Sequence, residues 1–148
     1  MAILNLTQHP ASDTQKKQGV VEPDDKEEIQ NLLTFKEAPS QEKMTKRASA
    51  LADIAQEVSA DAAMIGGMPS FMSSLERELV RRDIAPLYSF TQRKSVETEE
   101  DGETVKKTVF KHEGWTTPKI IDFLGGHGWE RKPVQKDGKW VLHTQMLY

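Results

Sequence analysis

Four short stretches bring together residue types that could move a proton or hold a phosphate. In Thr7-Gln8-His9-Pro10, an imidazole follows directly on the apolar run Ala2-Ile3-Leu4-Asn5-Leu6. A histidine that titrates near neutrality can take a proton from a hydroxyl or return one to a leaving oxygen. In Gly66-Gly67-Met68-Pro69-Ser70, two glycines let the backbone approach a ligand closely. The helix that follows offers unpaired amides and a positive dipole end to an anion, and Ser70 adds a hydroxyl. Thr91-Gln92-Arg93-Lys94-Ser95 and Lys111-His112 supply the cations and a second imidazole.

Each stretch also has a plainer reading. Gly66-Gly67 alone can make a tight strand-to-helix turn. Arg93 and Lys94 point to opposite faces of a strand, so only one of them can face a shared pocket. Arginine is the better bidentate partner for phosphate, yet exposed basic residues also protect sheet edges. His9 and His112 are each open to a structural role. His127 and His143 have no acidic or histidine partner at metal-ligand spacing, and no HExxH, DxD, GxxxxGK[ST] or GxSxG motif is present. No metal site and no cofactor is expected.

The elements that must position these residues follow from periodicity. Ala2–Leu6 reads as a strand ended by Pro10, and residues 11–22 as a polar loop. Asp24, with Glu27 three residues on, starts a helix after Pro23 with Ile29, Leu32 and Leu33 on its buried stripe. Ser40 caps a second helix, in which Met44, Ala48, Leu51, Ala55 and Val58 recur at steps of four and three. A short apolar strand over 62–65 leads through the glycines into a helix carrying Phe71, Leu75 and Leu79. Residues 84–96 form a long strand, 100–103 a turn and 104–112 the returning strand of a hairpin. The acidic run Glu97–Asp101 reads as a solvated turn. Beyond Gly114, Thr117 and Pro118 open a helix (PKIIDFLGGHG) that the glycines end, followed by a hairpin around Asp137-Gly138. The expected fold is α/β: a mostly parallel sheet closed by an antiparallel hairpin, with helices on both faces, over residues 1–115. A small helix-hairpin extension of α+β character occupies 116–148. In such a sheet, ligands collect outside the carboxyl ends of the strands.

The totals narrow the function classes. The chain of 148 residues has no cysteine, which excludes a disulfide scaffold, a thiolate zinc site and a cysteine nucleophile. That composition fits a reducing cytoplasm, the expected location. No signal peptide is expected, and no apolar run approaches the ~20 residues of a membrane-spanning helix. With a net charge of -3 and well-mixed signs, the chain is not built to coat duplex DNA. In the tail from 114 on, Lys119, Arg131, Lys132, Lys136 and Lys139 outweigh Asp122, Glu130 and Asp137.

The stretches ILNLTQHPAS, AAMIGGMPSFMSSLERELVRRDIAPLYSFTQRKSVE and VFKHEGW together resemble the small CRISPR-associated proteins of the Csx type. Those families are related to the CRISPR-associated Rossmann fold (CARF), and several act as ring nucleases. The resemblance implies a homodimer of Rossmann-like domains that binds a cyclic oligoadenylate, with cyclic tetra-adenylate the expected ring. It implies metal-independent cleavage, in which a ribose 2′-hydroxyl attacks the adjacent phosphorus to give a 2′,3′-cyclic phosphate. His9 would then act as general base or acid, and Arg93 or Lys111 would stabilise the developing charge. Gly66, Gly67 and Ser70 would cradle the phosphate, and Thr7 and Gln8 would read ribose or adenine. Ser95 and His112 complete the expected ligand-binding set. The alternatives are a sensor or sponge of the same fold that does not cut, or an RNA- or protein-binding regulator that works through the tail.

Overall fold

The computed structural model describes residues 2–148. In chain order the elements are β1 (Ile3–Leu6), α1 (Asp13–Lys17), β2 (Val20–Val21), α2 (Lys26–Leu33), α3 (Gln41–Glu57) and β3 (Ala62–Ile65). They continue with α4 (Pro69–Arg81), β4 (Ala85–Glu100), β5 (Glu103–Thr116), β6 (Ile120–Leu124), β7 (His127–Lys136) and β8 (Lys139–Met146). The molecule is α/β. A five-stranded sheet has the order β2-β1-β3-β4-β5, parallel throughout except for β5, and a separate antiparallel sheet has the order β6-β7-β8.

β1 and β3 are buried at every residue because both sheet faces are covered. Leu4, Leu6, Ala63 and Ile65 face α2, α3 and α4, in a core that includes Leu51, Phe71, Leu75 and Leu79. Ile3, Ala62, Met64, Ala85 and Leu87 face the other way, towards Trp115, Trp140 and Leu142. The distribution of helices follows from right-handed crossovers. The chain leaves β1 in one direction, to β2, and this places α1 on the second face. It then crosses back over β1 to β3 and on to β4, and both of those connections lie on the first face. Helices do stand on both faces, but unequally. The second face carries only the five residues of α1, and the C-terminal meander covers the rest.

Four sequence expectations need correction. The segment 117–126 is no helix: Ile120–Leu124 is strand β6, so the extension is an all-β meander rather than helix and hairpin. Gly125 and Gly126, at φ +61° and +80°, make the two-residue turn to β7 instead of ending a helix. Residues 11–22 contain α1 and β2 rather than loop alone. α1 is held by a capping box: the Gln15 amide donates to Ser12 Oγ, and the Ser12 amide donates to Gln15 Oε1 at 2.9 Å. Glu97–Glu100 belongs to β4, where Glu97 stands opposite Lys106 and Glu100 pairs with Lys107, so the turn shrinks to Asp101-Gly102. The first long helix is capped by Asp25, one residue later than expected.

The meander is tied to the body by polar contacts as well as by Trp140 and Leu142. Arg81 Nε and Nη2 donate to the two carboxylate oxygens of Asp122 at 2.9 and 3.1 Å. Arg131 donates to the Val80 carbonyl and, at 3.0 Å, to Asp83. Beyond Leu87, β4 pairs with no residue of β3, so β4 and β5 leave the sheet together as a two-stranded arm.

Candidate functional site

β1 and β3 end side by side, with Leu6 paired to Ile65. The chain leaves β1 for one face of the sheet and leaves β3 for the other, so the crevice between these ends is the topological switch point. That is where open α/β sheets take their ligands. A cleft of about 430 Å³ opens there, lined by Thr7, Gln8, His9 and Pro10, by Met64 to Gly67, and by Gln15, Tyr88 and Ser89.

Thr7, Gln8 and His9 are fixed from behind through their backbone. Asn5 is fully buried within the apolar strand and makes four hydrogen bonds. Its Nδ2 donates to the His9 carbonyl at 2.8 Å and to Glu22 Oε1 at 2.6 Å. Its Oδ1 accepts from the Thr7 amide at 3.0 Å and the Thr7 hydroxyl at 2.6 Å. Lys26 Nζ donates to the carbonyls of Thr7 and His9 at 2.6 and 3.1 Å, and Gln30 Nε2 donates to that of Gln8 at 3.0 Å. Burial holds the Lys26 ammonium below its ordinary value, with Glu22 pulling it back up. All three carbonyls are thus occupied by α2 and Asn5, while the His9 side chain stays exposed. Asn5, Glu22 and Lys26 were not among the expected site residues. The signal was available for Asn5: an amide interrupts the apolar run ILNL. Asn5→Ala is expected to lower stability by about 1–3 kcal/mol, because it removes the hydrogen bonds of a fully buried side chain and leaves the Thr7 amide without its acceptor. Urea unfolding measures this, and an unchanged midpoint would show the loop to be held by Lys26 and Gln30 alone.

The second wall is the bend after β3. Gly67 has φ +151°, and a Cβ there would meet Met72 Cε at 3.4 Å, so the turn requires glycine. A Cβ on Gly66 would touch Thr7 Cγ2 at 3.9 Å, which shows how closely the two loops approach. α4 begins at once with Pro69, and its N-cap, Met68, makes no side-chain hydrogen bond. Its first-turn amides therefore have no side-chain cap, and they carry the positive end of a 13-residue helix. Ser70 stands exposed in that turn and does not line the cleft.

β4 forms the third wall. Tyr88 donates its hydroxyl to Glu76, and burial together with that carboxylate pushes the phenol well above its ordinary range. Ser89 faces the opposite way, towards α1.

The residues assigned to β4 and β5 separate from this cleft. Arg93, Ser95 and Lys111 stand on the exposed arm, with the Arg93 guanidinium 5.5 Å from the Phe110 ring centroid. Four residues at ~3.3 Å each put Arg93 roughly 13 Å beyond Ser89. His112 is buried behind Ser89 rather than in the cleft itself. Thr7, Gln8, His9, Gly66 and Gly67 do meet, without a lysine or arginine among the cleft's lining residues. Among the described residues, no three histidine, aspartate or glutamate side chains gather in a metal-ligating group.

Residues 1–116 match the family model described as the Uncharacterized protein MJ1673 family. The chain belongs to this family. The MJ1673 region ends where β5 ends, so it contains the whole cleft and leaves β6–β8 outside the match. No curated protein and no solved structure matches the chain. No helix of the described residues is long and apolar enough to cross a membrane.

Proposed function

We propose that this chain is a Rossmann-like, CARF-related ring nuclease: it takes a cyclic oligoadenylate into the switch-point cleft and opens the ring by 2′-hydroxyl attack on phosphorus. The observation that carries this reading is the meeting of Thr7-Gln8-His9 with the Gly66-Gly67 bend in one cleft of about 430 Å³. The bend and the start of α4 suit a phosphate, since the glycines let the backbone come close and the helix dipole favours negative charge. Thr7 and Gln8 offer hydroxyl and amide groups to a ribose or an adenine. His9 supplies the proton transfer, and its loop is held rigidly enough to keep the reacting atoms in line. No step requires a cofactor. The proposed setting is the cytoplasm, with type III CRISPR signalling as the source of the ring.

The missing cation bears on how the site is completed. A phosphorane needs its charge stabilised, and the cleft of one chain presents neither Arg93 nor Lys111. In the proposed homodimer, two clefts face a two-fold symmetric ring, and the arms bring these side chains to it. The same gap favours a second reading, in which amides and hydroxyls hold the ring without cutting it.

Incubation with cyclic tetra-adenylate or cyclic hexa-adenylate in excess chelator, followed by product chromatography, separates these outcomes. Linear products ending in a 2′,3′-cyclic phosphate are expected. Intact ring that elutes with the protein would establish capture without cleavage, and intact ring that elutes freely would remove both readings.

A further inference from the structure

We propose that Ser89, His112 and Gln18 form a proton relay whose serine oxygen takes the proton from a ribose hydroxyl bound in the cleft. The identity of the substrate rests on the reading above; the activation of Ser89 rests on geometry alone.

Ser89 lines the cleft, and its Oγ is hydrogen-bonded to His112 Nδ1. The other ring nitrogen, Nε2, lies 3.1 Å from Gln18 Oε1. A carbonyl oxygen there places the ring proton on Nε2 and leaves Nδ1 to accept the serine proton. Gln15 Nε2 donates to Ser89 Oγ at 3.1 Å, and the capping box of α1 fixes that amide from its other side. The contact depends on an irregularity in the arm. Thr91 pairs with His112 but Phe90 with Gly114, so Glu113 is an extra residue that slides β5 along β4.

His112 is 3% exposed, and its ring centroid lies 4.5 Å from that of Trp115. Burial holds the imidazole below its ordinary value, in the neutral form a base requires, while Glu113 pulls it back up. Glu113 is paired with Lys94 at 2.7 Å and flanked by Lys111. Gln18, the C-cap of α1, meets the ring with an uncharged amide. Nucleophile, base and orienting group thus follow one another in hydrogen-bond reach. A histidine serving only to dock α1 would need no cleft-lining serine on its second ring nitrogen.

In ring opening, the 2′-oxygen bonds to phosphorus as its proton passes to Ser89 Oγ and the serine's own proton passes to His112 Nδ1. The bond from phosphorus to the 5′-oxygen breaks, and His9 in its imidazolium form protonates that oxygen. The products are a 2′,3′-cyclic phosphate and a 5′-hydroxyl. Exchange with solvent then returns both histidines to their starting forms.

An activated serine can be read without any nucleotide. A fluorophosphonate forms a bond from Ser89 Oγ to phosphorus, releases fluoride and leaves the serine proton on His112, so intact mass reports the adduct on the full chain. We expect one adduct, mapped to Ser89, absent in Ser89→Ala and formed at least about tenfold more slowly in His112→Gln. Its rate should fall as pH drops through the depressed His112 value. Gln18→Glu, which adds a carboxylate to Nε2, should move that limb to higher pH. No adduct at Ser89, or an unchanged rate in folded His112→Gln, overturns the relay. If His112→Gln does not fold, a limb that Gln18→Glu leaves in place overturns it. The expected labelling in a protein that leaves cyclic tetra-adenylate intact supports the relay and removes the ring-nuclease reading. Ring opening at the wild-type rate in Ser89→Ala does the reverse.

Discussion

Replacing His9 by alanine should slow ring opening at least about tenfold, and by as much as the roughly 100- to 10,000-fold that a positioned acid or base supplies. Capture of the ring should survive. The structure separates the two effects because the loop is anchored by the His9 carbonyl and not by its ring. Asn5 Nδ2 and Lys26 Nζ both donate to that oxygen, and alanine keeps it. The imidazole itself is exposed. The melting temperature of His9→Ala should therefore match that of the wild type, while single-turnover rate and ring affinity move independently. An equal fall in rate and affinity would assign His9 to ligand contact alone.

Ending the chain after Thr116 should cost more than any single substitution described above. That truncation keeps every residue of the family match, yet it uncovers the second face of the sheet. Trp140 and Leu142 pack against the cluster of Ile3, Val20, Met64 and Leu87. Uncovering buried side chains such as these last four costs up to about 1.5–3 kcal/mol each. Their sum is comparable with the ~5–15 kcal/mol by which a domain of this kind is stable. The Arg81–Asp122 pair and the Arg131 contacts to Val80 and Asp83 go with them. The shortened chain is expected to lose its cooperative thermal transition or to melt many degrees lower. A transition matching the full chain's would show the meander to be an appendage that the body does not need.

What could be read from the sequence depended on whether burial or polar bonding sets each element. β1 and β3 are legible because four buried residues in a row leave little else for ILNL and AAMI to be. α3 is legible because Met44, Ala48, Leu51 and Ala55 mark one face at steps of four and three. α1 is not, since none of its residues is buried and its order comes from Ser12, Gln15 and the partner amides. β6 imitates a helix, with proline before it and two glycines after it. Its alternation is masked because the inward positions are Ile120 and the carboxylate of Asp122, which Arg81 neutralises, while Ile121 and Phe123 face out. The cleft divides in the same way. Residues just past the ends of β1 and β3 could be placed from strand boundaries alone. Arg93 and Lys111 could not, because β4 runs on past its neighbour. The partnership of Ser89 with His112 turns on a single extra residue in β5, which no periodicity reports.

The arm carries a further consequence. From Tyr88 to Glu100 and along β5, both margins of the ribbon lack a neighbouring strand, and such margins invite end-to-end growth into fibres. Phe90, Val96, Val109 and Phe110 would add to that tendency. Interspersed among them are Arg93, Lys94, Glu97, Glu99, Lys106 and Lys107, so continued stacking in one register would bring like charges together. The mixed charge along the ribbon therefore works against in-register growth of one arm upon another.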